Sequence, residues 1–466
     1  MLAKVYSASV QGLDAQQVTI EVNSSRGIRF ILVGLPDNAV KESHERIMAA
    51  LENSGLPFPS KQITVNLAPA NVRKVGSGFD LPIAIGILAT AEKINATNLD
   101  KIMMVGELSL DGSLQPICGA LPIAIKARAL GYESLFVPAQ NIQEAAVVDR
   151  LNVYGGNNLA EVVGFLNGTH HLEPVRIDTR KDFYDRQSDF ELDFADVKGQ
   201  SHLKRALEIA AAGGHNVIMI GPPGSGKTML ARRMPSILPP MSMEEALETT
   251  KIHSVAGKIG AHRGLILERP FRAPHHLTSQ VALIGGGTYP QPGEVSLANN
   301  GVLFLDEMPE FGHSVLEVLR QPMEDKHITI SRVRYSVDYP SNFTLVASMN
   351  PCPCGYYNHP DKECTCSPVA VRRYAGRISG PLMDRIDLHV EITPVSREEL
   401  ASAEPAESSA AVRERVMRAR ERQAERFRGT GIYTNTMMSS AMLRKFCPLS
   451  PDVRRLLDGA MERLQL

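Results

Sequence analysis

Residues 221 to 228 read GPPGSGKT, a GxxxxGK[ST] pattern whose residue types suit one task, the grip on a chain of phosphates. Gly221, Gly224 and Gly226 let backbone N–H groups turn inward, while Pro222, Pro223 and Ser225 complete the loop. Lys227 is placed to reach the β and γ phosphates of a nucleoside triphosphate, and Thr228 to bind Mg²⁺. Seventy-eight residues beyond Thr228 the run GVLFLDE ends in two carboxylates. Asp306 suits the Mg²⁺ shell, and Glu307 suits a base that orients and deprotonates the attacking water. A hydrophobic run ending in Asp-Glu is commonplace by itself and gains meaning only downstream of a phosphate loop. FTLVASMN then puts Asn350 where a polar side chain can hold that water from the other side; a turn-forming Asn before Pro351 is its plainer reading.

These groups need elements to position them. NVIMIG before the loop reads as a buried strand and MLARRMPSIL after it as a helix, the context a phosphate loop requires. GVLFL and FTLVASM read as two further strands of the same unit. Upstream, residues 1–168 alternate β-like runs (QVTIEV, RFILVGL, QITVNLA, SLFVPA) with helical stretches such as NAVKESHERIMAALENSG, an α/β pattern. A polar stretch at 169–189 reads as a linker, the nucleotide unit spans 190–395, and a break near SAEPAESSA opens a helical segment at 396–466.

Composition sets bounds on function. With 466 residues, 43% hydrophobic and 22% charged, the chain is that of a multidomain globular protein. Fifty Lys and Arg against 51 Asp and Glu mean that a polyanion must be met by a local basic surface. The N-terminus has no signal-peptide core and no apolar run spans a membrane, so the expected place is the cytoplasm, without membrane association. Four of the six cysteines, Cys352, Cys354, Cys364 and Cys366, crowd into NPCPCGYYNHPDKECTCSP. Four thiolates at the ends of one loop can close a tetrahedral Zn²⁺ site; buried unligated thiols and redox chemistry are the alternatives. Cys118 and Cys447 stand alone and read as packing residues.

Three stretches bear on partners. DKHITISRVRYSVDYPSNF reads as a β-hairpin carrying Arg332 and Arg334, either a DNA-contacting pair or routine surface charge. His275 and His276 read as structural or positioning groups. VRERVMRARERQAERF is an arginine-rich helix, read as a solvated or inter-subunit face.

In order, these motifs resemble those of AAA+ ATPases. RPFRAPHHLTSQVALIGGG, PGEVSLANNGVLFLDEMPEF and PLMDRIDLHVEI narrow the likeness to the magnesium-chelatase-like branch, and with the N-terminal unit to the YifB family. The resemblance implies a Lon-protease-like (S5 domain 2-like) N-terminal domain, an AAA+ P-loop core and a partial helical lid, since relatives continue into a further arginine-bearing helix. It implies ATP and Mg²⁺ as ligands, with Val197 and Gln200 in the segment that packs on adenine. It implies a ring, usually a hexamer, in which Arg385 acts as an arginine finger on a neighbour's ATP. It implies a hairpin in the central pore and a DNA motor, a branch-migration helicase for recombination in natural transformation. A protein-remodelling or chelatase-partner ATPase shares nearly the same motifs. Proteolysis is disfavoured, because the Lon nucleophile falls at Gly78 and the Lon lysine at Leu121, neither able to do Ser/Lys chemistry.

Overall fold

The computed structural model describes residues 1–177, 183, 190–260, 264–332, 335–394 and 406–464. The N-terminal unit is built on a mixed sheet of seven strands: β1 (Leu2–Gln11), β2 (Asp14–Ser25), β3 (Phe30–Val33), β4 (Gln62–Ala68), β5 (Ile102–Met104), β6 (Ser134–Pro138) and β7 (Asn152–Gly156). Their spatial order is β3-β4-β2-β1-β5-β6-β7. In β2 the alternation of Val18, Ile20 and Val22 with polar residues turns one face inward. Helix α1 (Ser43–Asn53) and helix α2 (Asp80–Thr90) cover that face, and α2 is buried along its whole length. Its first residue, Asp80, is a buried carboxylate gripped by Arg46 of α1 through Nε to Oδ2 at 2.7 Å and Nη2 to Oδ1 at 2.9 Å. Burial outweighs that pairing and pushes the Asp80 pKa up to about 6. Beyond α2, helix α3 (Ala120–Ala129) packs under the other half of the sheet.

The nucleotide unit carries five parallel strands: β8 (Val217–Ile220), β9 (Phe271–Arg272), β10 (Val302–Leu305), β13 (Thr344–Met349) and β14 (Leu388–Glu391), in the order β9-β10-β13-β8-β14. Between β10 and β13 the chain leaves the sheet as the expected hairpin, β11 (His327–Arg332) and β12 (Tyr335–Pro340), paired antiparallel. Four-residue apolar runs such as VLFL are buried on both faces, as a parallel sheet requires. One face packs on helices α4 (Ser201–Gly213) and α5 (Lys227–Ile237). The other packs on a cluster around Met308, Leu316 and Tyr339. Helix α6 (Met243–Val255) reaches across to the N-terminal unit. There the buried Glu144 accepts hydrogen bonds from the Leu121 N–H at 2.9 Å and from Ser254 Oγ, while the Gly119 N–H donates to Ser254 O at 3.0 Å.

Three expectations change. In the stretch read as a linker, Val175 pairs with Val153 and packs with Ile177 on the N-terminal core, and Phe183 is buried near Met241. The arginine-rich helix (Ser409–Arg426) is not simply a solvated face. Val412 and Val416 are buried against the α4–α5 layer, Arg415 pairs with Glu208, and Arg420 donates to Ala211 O at 2.9 Å. Burial lowers the Arg420 pKa to about 10. Cys118 and Cys447 are exposed rather than packed. Among the described residues no helix is long and apolar enough to cross a membrane.

Removing Asp80 strands the Arg46 guanidinium. Asp80→Ala is expected to lower unfolding stability by about 3 kcal/mol, the low end for a broken buried pair because Arg46 keeps some contact with water. A urea titration measures this.

Candidate active site

The phosphate loop leaves β8, which lies between β13 and the edge strand β14, where the ends of three parallel strands open a crevice. Gly224 and Gly226 have φ of +78° and +87°, and a side chain at either would meet nothing within 4 Å. Backbone conformation and not crowding demands glycine there, and the space it leaves is open to a ligand. Gly221 differs: a Cβ would lie 2.9 Å from Ile392 atoms, so packing alone keeps it small. Gln200 straps the loop from the side, its Nε2 donating to Thr393 O at 2.8 Å and to Ser225 O at 3.3 Å. Val197, three residues before it, is buried in the cluster with Phe194 and Leu203.

Lys227 opens α5 and is folded back into the loop. Its Nζ donates to Gly221 O at 2.7 Å and Pro222 O at 2.9 Å and lies 3.4 Å from Asn350 Oδ1. Burial lowers its pKa, against the pull of Asp306 and Glu307. Thr228 Oγ1 donates to Asp306 Oδ2 at 2.9 Å, and Ser348 Oγ donates to the other oxygen, Oδ1. The same hydroxyl accepts the Glu307 N–H at 3.1 Å. A hydroxyl and a carboxylate facing each other beside a lysine form a hard oxygen donor set that fits Mg²⁺.

Glu307 sits at φ +52°, ψ +47°, a left-handed backbone conformation uncommon for a residue with a side chain. Its carboxylate is half-exposed, and its nearest ionic neighbour is His276, Nδ1 to Oε2 at 4.0 Å. The His276 ring is packed on His275, with centroids 4.1 Å apart. One carboxylate is thus locked and its neighbour left free to meet water, the division that metal binding and base catalysis need.

The fold therefore gathers Lys227, Thr228, Asp306, Glu307 and Asn350 in one crevice. It does not bring Arg385 there: its guanidinium pairs with Glu324 and the Pro381 carbonyl, and its own carbonyl accepts from Asn216 at 3.0 Å. Arg332 ends β11, and Arg334 lies outside the described residues. The four cysteines do meet, their sulfurs all within 4.8 Å of one another. Sequence reasoning missed Ser348 and Glu324. Ser348's signal was its place two residues before Asn350, on the strand facing Asp306.

Comparison with known proteins follows the same lines. Residues 193–400 match the family profile of magnesium chelatase, subunit ChlI, residues 406–466 that of its C-terminal part, and residues 20–141 that of subunit ChlI of Mg-chelatase. The chain is 44% identical over 468 aligned residues to competence protein ComM of Haemophilus influenzae, covering 100% of this chain and 90% of that one. The chain belongs to the ComM/YifB family. YifB of Escherichia coli is 43% identical over the same shares of both chains. The magnesium-chelatase 67 kDa subunit of Heliobacterium mobile is 28% identical over 46% of this chain and 34% of its own. The likeness to ComM and YifB spans the whole of this chain, and the domains are magnesium-chelatase-like AAA+ domains.

Ser348 joins both carboxylate residues, so Ser348→Ala is expected to lower ATP turnover by roughly 10- to 100-fold, the worth of one hydrogen bond to a charged group. Steady-state hydrolysis, with folding checked by circular dichroism, measures it.

Proposed function

We propose that this protein is an ATP-driven DNA motor of the cytoplasm that works as a homo-hexameric ring, most specifically a branch-migration helicase in recombination during natural transformation. The observation that carries the reading is the ready-built hydrolytic crevice with Arg385 outside it: Lys227 is the chain's own cation on the phosphates, and a second cation of the arginine-finger type is then supplied by a second copy. The competence name of the Haemophilus influenzae relative supports the process.

In this mechanism ATP enters the open side of Gly224 and Gly226, and Gln200 and Val197 bound the base-side approach. Lys227 exchanges the Gly221 and Pro222 carbonyls for phosphate oxygens, an exchange that its lowered pKa and short reach make inexpensive. Mg²⁺, when bound, would neutralise phosphate charge. Thr228 and Asp306 would hold it, and Ser348 keeps Asp306 from rotating. Glu307 takes the proton of the attacking water, and Asn350 orients that water from the opposite strand. A neighbour's Arg385, released from Glu324, stabilises the charge that develops.

Arg332 and Arg334, repeated around a ring, give a basic pore that grips a phosphate backbone without reading bases. We read the N-terminal unit as a Lon-protease-like scaffold without protease chemistry, with Gly78 and Leu121 at the positions that chemistry needs. We read Cys352, Cys354, Cys364 and Cys366 as a structural Zn²⁺ site. A second reading, a chelatase-partner or protein-remodelling ATPase, draws support from the chelatase subunits among the relatives.

Forked and single-stranded DNA are expected to raise ATP turnover. Glu307→Gln is expected to cut turnover by about 10²–10⁴-fold, the usual worth of a positioned base, while ATP binding persists. Arg332→Ala with Arg334→Ala is expected to weaken DNA binding across sequences and flatten its salt dependence. Turnover indifferent to DNA but raised by a partner protein sinks the motor reading in favour of the second.

A further inference from the structure

The segment 351–367 links the end of β13 to the helix Pro368–Ala375, whose N-cap Ser367 accepts the Ala370 N–H at 3.3 Å. Cys352 is fully buried, but neither it nor any other residue of the loop belongs to the hydrophobic clusters among the described residues. Tyr357 is exposed, and His359, Asp361 and Lys362 bond only within the loop. Such a segment has no apolar core of its own to hold its shape.

What it has is sulfur. Cys352 and Cys364 sulfurs stand 3.7 Å apart, Cys354 and Cys364 3.6 Å, and Cys352 and Cys354 3.3 Å. A tetrahedron with Zn–S bonds of about 2.3 Å has edges of about 3.8 Å, so these spacings are those of a closed thiolate site and far beyond a disulfide.

The loop and the strand end that leads into it touch the ATP crevice at two points. Its first turn, closed by the Gly355 N–H donating to Cys352 O at 3.0 Å, brings Gly355 so close to the phosphate loop that a Cβ there would lie 2.6 Å from Pro223 Cδ. Gly355 also has φ +85°, so both conformation and contact select glycine. Two residues before Cys352, Asn350 lies beside Lys227, and Met349 O accepts the Gly221 N–H at 3.2 Å.

We propose that zinc in this thiolate cluster is a control point for nucleotide binding: it fixes the Cys352–Gly355 turn as a wall against Pro223, and its loss releases the phosphate loop and Asn350 together. The proposal rests on the zinc reading above, and extends it from a clip on one loop to a determinant of ATP affinity. A chain short of zinc is then a chain that binds ATP poorly, whatever its DNA.

The test uses the whole chain, zinc content by mass spectrometry and the affinity of a fluorescent ATP analogue without DNA. Wild type is expected to hold one zinc per chain. Cys364→Ser and Cys366→Ser are expected to lose it and to bind nucleotide roughly tenfold more weakly, as a slightly misplaced supporting group costs. Gly355→Ala is expected to keep zinc and still bind nucleotide more weakly, because its methyl displaces Pro223. If the serine variants fail to fold, chelation of folded wild type and zinc re-addition is expected to weaken and restore affinity reversibly. A wild-type chain free of zinc after zinc-supplemented expression overturns the metal reading. Zinc loss with unchanged nucleotide affinity overturns the control point and leaves the metal reading standing. Both are separable from the motor proposal, since no DNA is present.

Discussion

The Asp306 carboxylate, held between the hydroxyls of Thr228 and Ser348, is the interaction on which the site depends. It ties together three pieces of chain far apart in sequence: the helix that follows the phosphate loop, the end of β10 and the end of β13. The parallel order β10-β13-β8 makes this possible, since neighbouring strands that run the same way deliver their following loops to one edge. Two donors, one on each oxygen, hold the carboxylate in place, which suits a metal ligand. Glu307, in a left-handed backbone conformation, stays half-exposed.

The same geometry accounts for what the crevice lacks. In one chain the guanidinium of Arg385 is spent on Glu324 and a carbonyl, on the side of β14 that leads away from Lys227. Under the proposed ring assembly, Glu324 holds that arginine until a neighbour's phosphates outbid it electrostatically. The hairpin is likewise anchored: Tyr339 is buried and donates to Pro290 O at 2.8 Å, and Val337 abuts Gly12 of the N-terminal unit. The N-terminal sheet, the hairpin base and the α6 contact at Glu144 thus join the two units near the element proposed to grip DNA.

Much of the site was legible in the sequence because its residues announce their chemistry locally. A glycine loop between a strand and a helix, and a buried run ending in Asp-Glu, are patterns of neighbours along the chain, and the fold brings Lys227, Thr228 and Asp306 of those patterns together, with Asn350 beside Lys227. Ser348 was not legible, because its importance lies in a partner 42 residues away and its own neighbours say only that it sits on a buried strand. Glu144 and Ser254 escaped for the same reason. The arginine-rich helix misled because alternating Arg and Glu look solvated; Arg420 instead donates to the Ala211 carbonyl, and Val412 and Val416 on the same helix are buried. Short strands such as β5, with three residues, carry too little pattern to be read alone. The α/β character of the N-terminal unit was legible from β2, β4 and β6, whereas the strand order, with β3 and β7 at opposite edges, depends on pairings that no local run encodes.

The most direct test is a structure of the full chain with Mg²⁺ and a non-hydrolysable ATP analogue. The account predicts Lys227 Nζ withdrawn from the Gly221 and Pro222 carbonyls onto the phosphates, a metal ion on Thr228 Oγ1 with Asp306 in its shell, and Ser348 still on Asp306. Nucleotide bound with Lys227 unmoved, or with the metal away from Thr228 and Asp306, contradicts it.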